Sequence, residues 1–144
     1  MEHTFLFEEA VWEARGHYRN ASGQEFGLQG ETRVEHQATR WINEGVLRVF
    51  GEPVQTVTNR YEIVPFRPGL DSTAWISINP SLGRLEGRFV VVAETILSQF
   101  HQAGGRHHGT ECLVQLDSGR YLNRGVLLQG GRTVSTWAVE LVRR

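Results

Sequence analysis

The chain contains a single cysteine, Cys112, so no internal disulfide can form, and a reducing, cytoplasmic location is the simplest expectation. Long apolar runs are missing. The longest, 89–93, falls far short of the roughly 20 residues that a membrane-spanning helix needs, and Met1-Glu2-His3 lacks the basic-then-apolar pattern of a signal peptide. An excess of one charge is missing too. Fifteen Lys plus Arg against sixteen Asp plus Glu give a net charge of -1, which leaves no surplus to neutralise phosphates, so neither nucleic acid nor an acidic membrane is an expected partner. The basic residues stand singly, as at Arg15, Arg19 and Arg33, and the only basic pair is Arg143-Arg144. Proline is sparse, at four residues.

What is present is the composition of a protein that folds. The 144 residues are 40% apolar and 22% charged, the size and balance of one ordinary domain spanning 1–144. Sixteen glycines separate short segments in which apolar and polar residues alternate, the period of a half-buried strand. Asn20-Ala21-Ser22-Gly23, Arg67-Pro68-Gly69, Asn79-Pro80-Ser81-Leu82-Gly83, Ala103-Gly104-Gly105, Asp117-Ser118-Gly119 and Gln129-Gly130-Gly131 carry the residues that turns require. They divide the chain into about ten strands, at 11–19, 26–36, 39–50, 54–65, 73–79, 84–94, 95–101, 110–117, 121–128 and 133–143. Residues 5–10 precede them as a short helical or extended lid. The stretch from Phe89 to Gln102 is β-branched early and has no 3.6-residue stripe, so it reads as two strands joined by a tight corner.

Links this short join antiparallel neighbours and cannot make parallel crossovers. The expected fold is therefore all-β: an antiparallel up-and-down barrel of about ten strands, which leaves no open edge. The polar residues mixed into Arg60-Tyr61-Glu62 and into Glu111 to Gln115 suit a barrel with a partly polar interior better than a dry sandwich. Gly87 and Gly125 are expected to mark bulges or bends where the sheet curves.

Trp12, Gly16 and Tyr18 in the first strand, with Trp137 to Arg143 in the last, resemble the calycin superfamily, the lipocalins and fatty-acid-binding proteins. The resemblance implies a lipocalin-like barrel whose floor is closed by Trp12 packed against Arg143. It extends loosely to haem-binding barrels similar to nitrobindin and to bilin lyases of the same fold.

The rings of Trp41, Tyr61, Trp75, Phe89, Tyr121 and Trp137 come from separate strands and would converge inside a closed barrel, the usual make-up of a small-molecule pocket. Asn59 shares the alternating face of Tyr61, Ser77 that of Trp75, and Asn123 that of Tyr121, so the candidate ligand-binding set is Trp41, Asn59, Tyr61, Trp75, Ser77, Tyr121, Asn123 and Trp137. Arg60 and Glu62 would then face out. His101, His107, His108, Glu111 and Cys112 include metal-ligand types in close succession, but His107 and His108 sit among glycines, and a hydrated hairpin loop is the preferred reading over a metal site. No nucleophile elbow, phosphate loop, dinucleotide fingerprint or zinc-protease helix occurs. The first reading is a cytoplasmic barrel that binds a small hydrophobic or amphipathic molecule. The second is an isomerase or lyase using the same cavity, with an acid such as Glu44 or Glu140. The third is a packed barrel acting through its surface, for instance as a homodimer. The sequence specifies no cofactor.

Overall fold

The structure is a computed structural model that describes residues 2–144. Ten strands follow one another: β1 (Ala10–Arg19), β2 (Glu25–His36), β3 (Trp41–Val49), β4 (Gln55–Ile63), β5 (Ser72–Asn79), β6 (Gly83–Val92), β7 (Thr95–Gln102), β8 (His107–Asp117), β9 (Arg120–Gln129) and β10 (Arg132–Arg143). Each pairs antiparallel with its sequence neighbour, and β1 closes on β10 through the register Trp12↔Arg143 to Arg19↔Thr136. The result is a closed ten-stranded up-and-down barrel. None of the described residues forms a helix long and apolar enough to cross a bilayer.

Alternation is the reason these segments form a barrel. Trp12 and Ala14 in β1 are buried while Glu13, Arg15 and His17 between and beside them are exposed, and β7 repeats the pattern with Ile96 and Ser98 in and Gln99 and His101 out. A strand with one apolar face is stable only when that face is covered, and closure covers all ten at once. The seam between β4 and β5 is the short one: only Tyr61↔Ser77, Glu62↔Ile76 and Ile63↔Trp75 pair across it, so residues 55–60 lack a β5 partner.

The structure corrects several expectations. Residues 5–9 form neither a helix nor a strand, and residue 10 already belongs to β1. Residues 4–8 make a single turn, closed by the Glu8 amide donating to the Thr4 carbonyl at 3.0 Å, and it tucks Phe5 and Leu6 under the barrel, 5% and 1% exposed. Full burial of two such side chains contributes roughly 1.5–3 kcal/mol each. Leu6 takes a left-handed backbone (φ 73°), an unfavourable conformation for a side chain of its size that the surrounding packing holds. His107 and His108 belong to strand β8 rather than to a loop. Gly87 and Gly125 are not bulges, since the register runs straight through them as Trp75↔Gly87 and Trp137↔Gly125. The register shifts lie instead at Thr133/Ser135 and Gln115/Asp117.

The floor of the barrel is built on Tyr121, which has no exposed surface. Its hydroxyl accepts the amide protons of Thr4 at 3.0 Å and Phe5 at 3.3 Å and donates to His3 Nδ1 at 2.9 Å, leaving His3 Nε2 to donate to the Ala93 carbonyl at 2.9 Å. Phe5, Trp12 and Tyr121 meet edge-on or tilted with ring centroids 5.4–5.8 Å apart, the arrangement that aromatic quadrupoles favour. Trp12 and Arg143 are register partners, as the resemblance implies, but the Arg143 guanidinium turns to Glu8 at 2.9 Å.

Candidate functional site

Burial is uneven along the barrel axis. Inward side chains near the N-terminal turn, among them Trp12, Val34, Ile63, Ile96, Leu113 and Tyr121, are at most 2% exposed. Several inward side chains nearer the opposite end are only half-buried, among them Tyr18, Leu47, Asn59, Tyr61, Phe100, Asn123, Leu127 and Trp137, and Val57 reaches 39% exposure, while Leu28, Ser77, Leu85 and Ser135 between them are buried. Accessible surface on an inward residue of a closed barrel lies toward the rim or where the wall parts, as at Asn59, which also borders the outer groove along the short β4–β5 seam. The interior is sealed at the N-terminal turn and less closely filled toward the hairpins 20–24, 50–54, 80–82, 103–106 and 130–131, and this looser half forms the cup.

Glycines make room for its walls. The Trp137 indole lies directly over Gly125, the Trp75 indole over Gly87 and the Phe100 ring over Gly109, each so close that a Cβ on the glycine would collide with the ring. Each ring rests on the glycine opposite it in the adjacent strand. A flat ring on a bare backbone covers the wall while taking little of the interior. Trp75 is further fixed by its indole N–H donating to Ser98 Oγ at 3.1 Å and by the Tyr61 ring standing edge-on to it, centroids 4.8 Å apart.

One acid faces this interior. Glu111 alternates inward with Gly109 and Leu113 on β8, and its Oε2 accepts hydrogen bonds from the Trp137 indole at 2.9 Å and from the Asn123 amide at 3.2 Å. Protein surrounds the carboxyl, yet Glu111 keeps accessible surface, because that surface borders the cup. Burial pushes its pKa above the usual carboxylate range, and the bonds from Trp137 and Asn123 pull it only part of the way back. Charge in a poorly solvated place is costly, so the proton is held more tightly. Across the barrel the Tyr61 phenol is likewise raised, first by burial and then by the facing Glu111 charge. Both donors to Glu111 reach the same oxygen, and neither engages Oε1. The Asn123 Oδ1 on the other side of that amide is buried without a partner. Rotating the amide would set two acceptors against each other, so the orientation is fixed by Glu111.

All eight residues picked out from the sequence sit on inward-facing positions of their strands, but they do not form one group. Tyr61, Trp75, Asn123 and Trp137 come together around Glu111, with Asn59 and Ser77 one inward step along β4 and β5. Trp41 and Tyr121 belong to the floor. Trp41 stacks on His36 with centroids 4.0 Å apart and packs edge-on against Phe7, and the Tyr121 hydroxyl is fully engaged by the N-terminal turn. Parity assigns a face and not a depth, which is why these two were grouped with the rest.

Glu111 is the inward residue absent from the ligand-binding set read from the sequence, where it is weighed only with the metal-ligand types of 101–112 and in a strand suited to a partly polar interior. Strand alternation separates that set. Glu111 points in, while Cys112 and the exposed His108, whose Nε2 lies 3.0 Å from the Gly130 carbonyl, point out, and His101 faces out beside Glu86 at 3.6 Å. The acids considered for catalysis are also outside: Glu44 pairs with Arg60, and Glu140 lies 3.5 Å from Arg120. The available signal was parity, since Glu111 falls on the same face as Leu113. Two open grooves mark the outer wall, one of about 400 Å³ over Ile42, Val46 and Ile78, and one of about 1150 Å³ bordered by Arg15, Arg48, Arg124 and Glu140.

No family model matches the chain, and no curated protein matches it. Among solved structures it is similar to the S-type phycobiliprotein lyase CPES from Guillardia theta, with a TM-score of 0.69 over 97% of this chain and 90% of that one at 10% identity. The likeness is one of fold.

Proposed function

We propose that this chain is a single-domain, calycin-type binding protein that takes a small, largely apolar molecule into the open half of its barrel. The observation that carries the reading is the cup itself: the half-buried rings of Tyr61 and Trp137, backed by the buried Trp75 indole, with one oriented carboxyl at Glu111. Apolar walls with a few converging polar groups are what a small-molecule site consists of. A folded chain gains nothing from holding an acid in such a place, because an under-solvated carboxyl lowers stability when ionised, so its presence there supports a role in binding.

Glu111 also favours a second reading, a lyase or isomerase that uses the same cup. An enclosed carboxyl whose pKa is raised by burial is the kind of group that general acid–base chemistry employs. The structural neighbour bears the name of a lyase, which adds an analogy of fold and no more.

Native mass spectrometry of the protein purified from its own cells, with an absorbance spectrum before and after organic extraction, tests the first reading. A stoichiometric molecule removed by extraction is the expected result. A bare polypeptide that also fails to take up apolar aromatic compounds overturns it.

A further inference from the structure

The interior carries a charge pattern that limits what the cup can hold. The sequence contains no lysine, and its fifteen basic residues are all arginine. Most of those on the strands above the floor face outward, as at Arg15, Arg48, Arg60, Arg88 and Arg124, on the exposed positions of the alternation, and Arg132 stands exposed at the rim, paired with Gln129 on the face that carries His107. Arg143 is held at the floor by Glu8. Between rim and floor the inner wall thus presents no guanidinium or ammonium. Its titratable groups are Glu111, the Tyr61 and Tyr18 phenols and, near the rim, His107, whose Nδ1 lies 3.1 Å from Gln102 Oε1. A carboxylate or phosphate head would lose its hydration, find no fixed cation and meet Glu111.

At the floor the Trp12 indole N–H and Gln115 Oε1 lack partners, whereas beside Glu111 the polar atoms without partners are acceptors. The Trp137 and Asn123 donors are both spent on Glu111 Oε2, which leaves Oε1 for something else, and Asn123 Oδ1 is a second acceptor without a partner. An N–H donor reaches the open Oε1, and a positive charge on it repays the desolvation that ionised Glu111 suffers.

We propose that the ligand's polar end is a nitrogen donor, an amidine, guanidine or protonated amine on an aromatic or apolar body, seated on Glu111 Oε1 with the body against Trp75 and Trp137. This rests on the binding-cup reading above and sets the chain apart from barrels that hold fatty acids. It also gives Glu111 a positioning role that does not depend on any reaction.

The test uses three probes of one size and shape, 2-naphthamidine, 2-naphthoate and 2-methylnaphthalene, each titrated calorimetrically into the unaltered chain and into Glu111→Gln. The indole ¹⁵N–H signals of Trp75 and Trp137 serve as reporters. Naphthamidine is expected to bind at least about tenfold more tightly than naphthoate and to shift the Trp137 indole. In E111Q that preference should fall at least about tenfold while methylnaphthalene affinity stays within about twofold. Naphthoate binding as tightly as naphthamidine, or a preference unchanged in E111Q, overturns the donor assignment and leaves the cup standing. If none of the three probes moves Trp75 or Trp137, the cup reading itself fails. The comparison on the unaltered chain decides the matter even if the variant does not fold.

Discussion

Trp137→Phe removes one donor from an enclosed carboxyl and leaves an aromatic ring over Gly125. The bond it deletes is 2.9 Å long and ends on Glu111 Oε2, with Asn123 at 3.2 Å as the remaining donor. A hydrogen bond to an ionised group is worth about 1.5–3 kcal/mol, and one between neutral groups about 0.5–1.5 kcal/mol. The loss therefore depends on the protonation state of Glu111, whose folded-state pKa is raised by burial and lowered in part by this bond. Below the ordinary carboxylate pKa the group is neutral in both folded and unfolded chains, and the variant should lose about 1 kcal/mol. As pH rises through the folded-state pKa, the missing donor is felt by a charge and the loss should grow to about 2 kcal/mol or more. With an unfolding entropy of about 2.1 cal/mol/K per residue, a chain of 144 residues shifts its Tm by about 3 °C per kcal/mol. The expected depression is then about 3 °C at pH 4, growing to about 7 °C with rising pH, with any packing loss added equally throughout. Thermal unfolding of both proteins from pH 4 to pH 9 measures it. Parallel curves, or a depression that shrinks as pH rises, would refute the claim that Trp137 stabilises an ionising Glu111.

Glu111→Gln should act in the opposite sense. A carboxyl whose folded-state pKa is raised carries no penalty below its unfolded value and an increasing one as pH climbs through the folded value, so the variant should gain stability relative to the parent only on the alkaline side, as read by denaturant midpoints. Gly125→Ala should destabilise by about 1–3 kcal/mol, since its Cβ meets the Trp137 ring, and should shift the Trp137 indole resonance; an unshifted indole would contradict the close contact. Tyr121→Phe leaves the Thr4 and Phe5 amides without their acceptor, about 1–3 kcal/mol for each buried donor, and should expose the N-terminal turn to limited proteolysis while the barrel stays folded. Amides of 55–60 that face β5 have no partner strand and are expected to exchange with solvent faster than their neighbours bonded to β3.

The strands and their facing were legible because a closed barrel imposes one rule, period two, on the whole chain, and Tyr61, Trp75 and Trp137 obey it. Depth along the axis was not. Whether an inward ring lines the cup or the floor depends on where the N-terminal turn docks, and nothing local to Trp41 or Tyr121 encodes that. Gly87 and Gly125 read as bulges or bends, and the unbroken register removes the bulges, while each glycine also accepts the ring of the opposing tryptophan, a relation visible only once cross-strand register is known. Glu111 was obscured by its neighbours His107, His108 and Cys112, residue types that suggest a metal until alternation divides them between two faces.

A crystal structure of the chain soaked with 2-methylnaphthalene tests the central claim most directly, because the probe carries no charge and responds only to an apolar, accessible interior. The account expects it between Tyr61, Trp75 and Trp137, above the floor formed by Trp12 and Tyr121. A probe found only in the outer groove over Ile42, Val46 and Ile78, with the barrel interior closed around its own side chains, would contradict it.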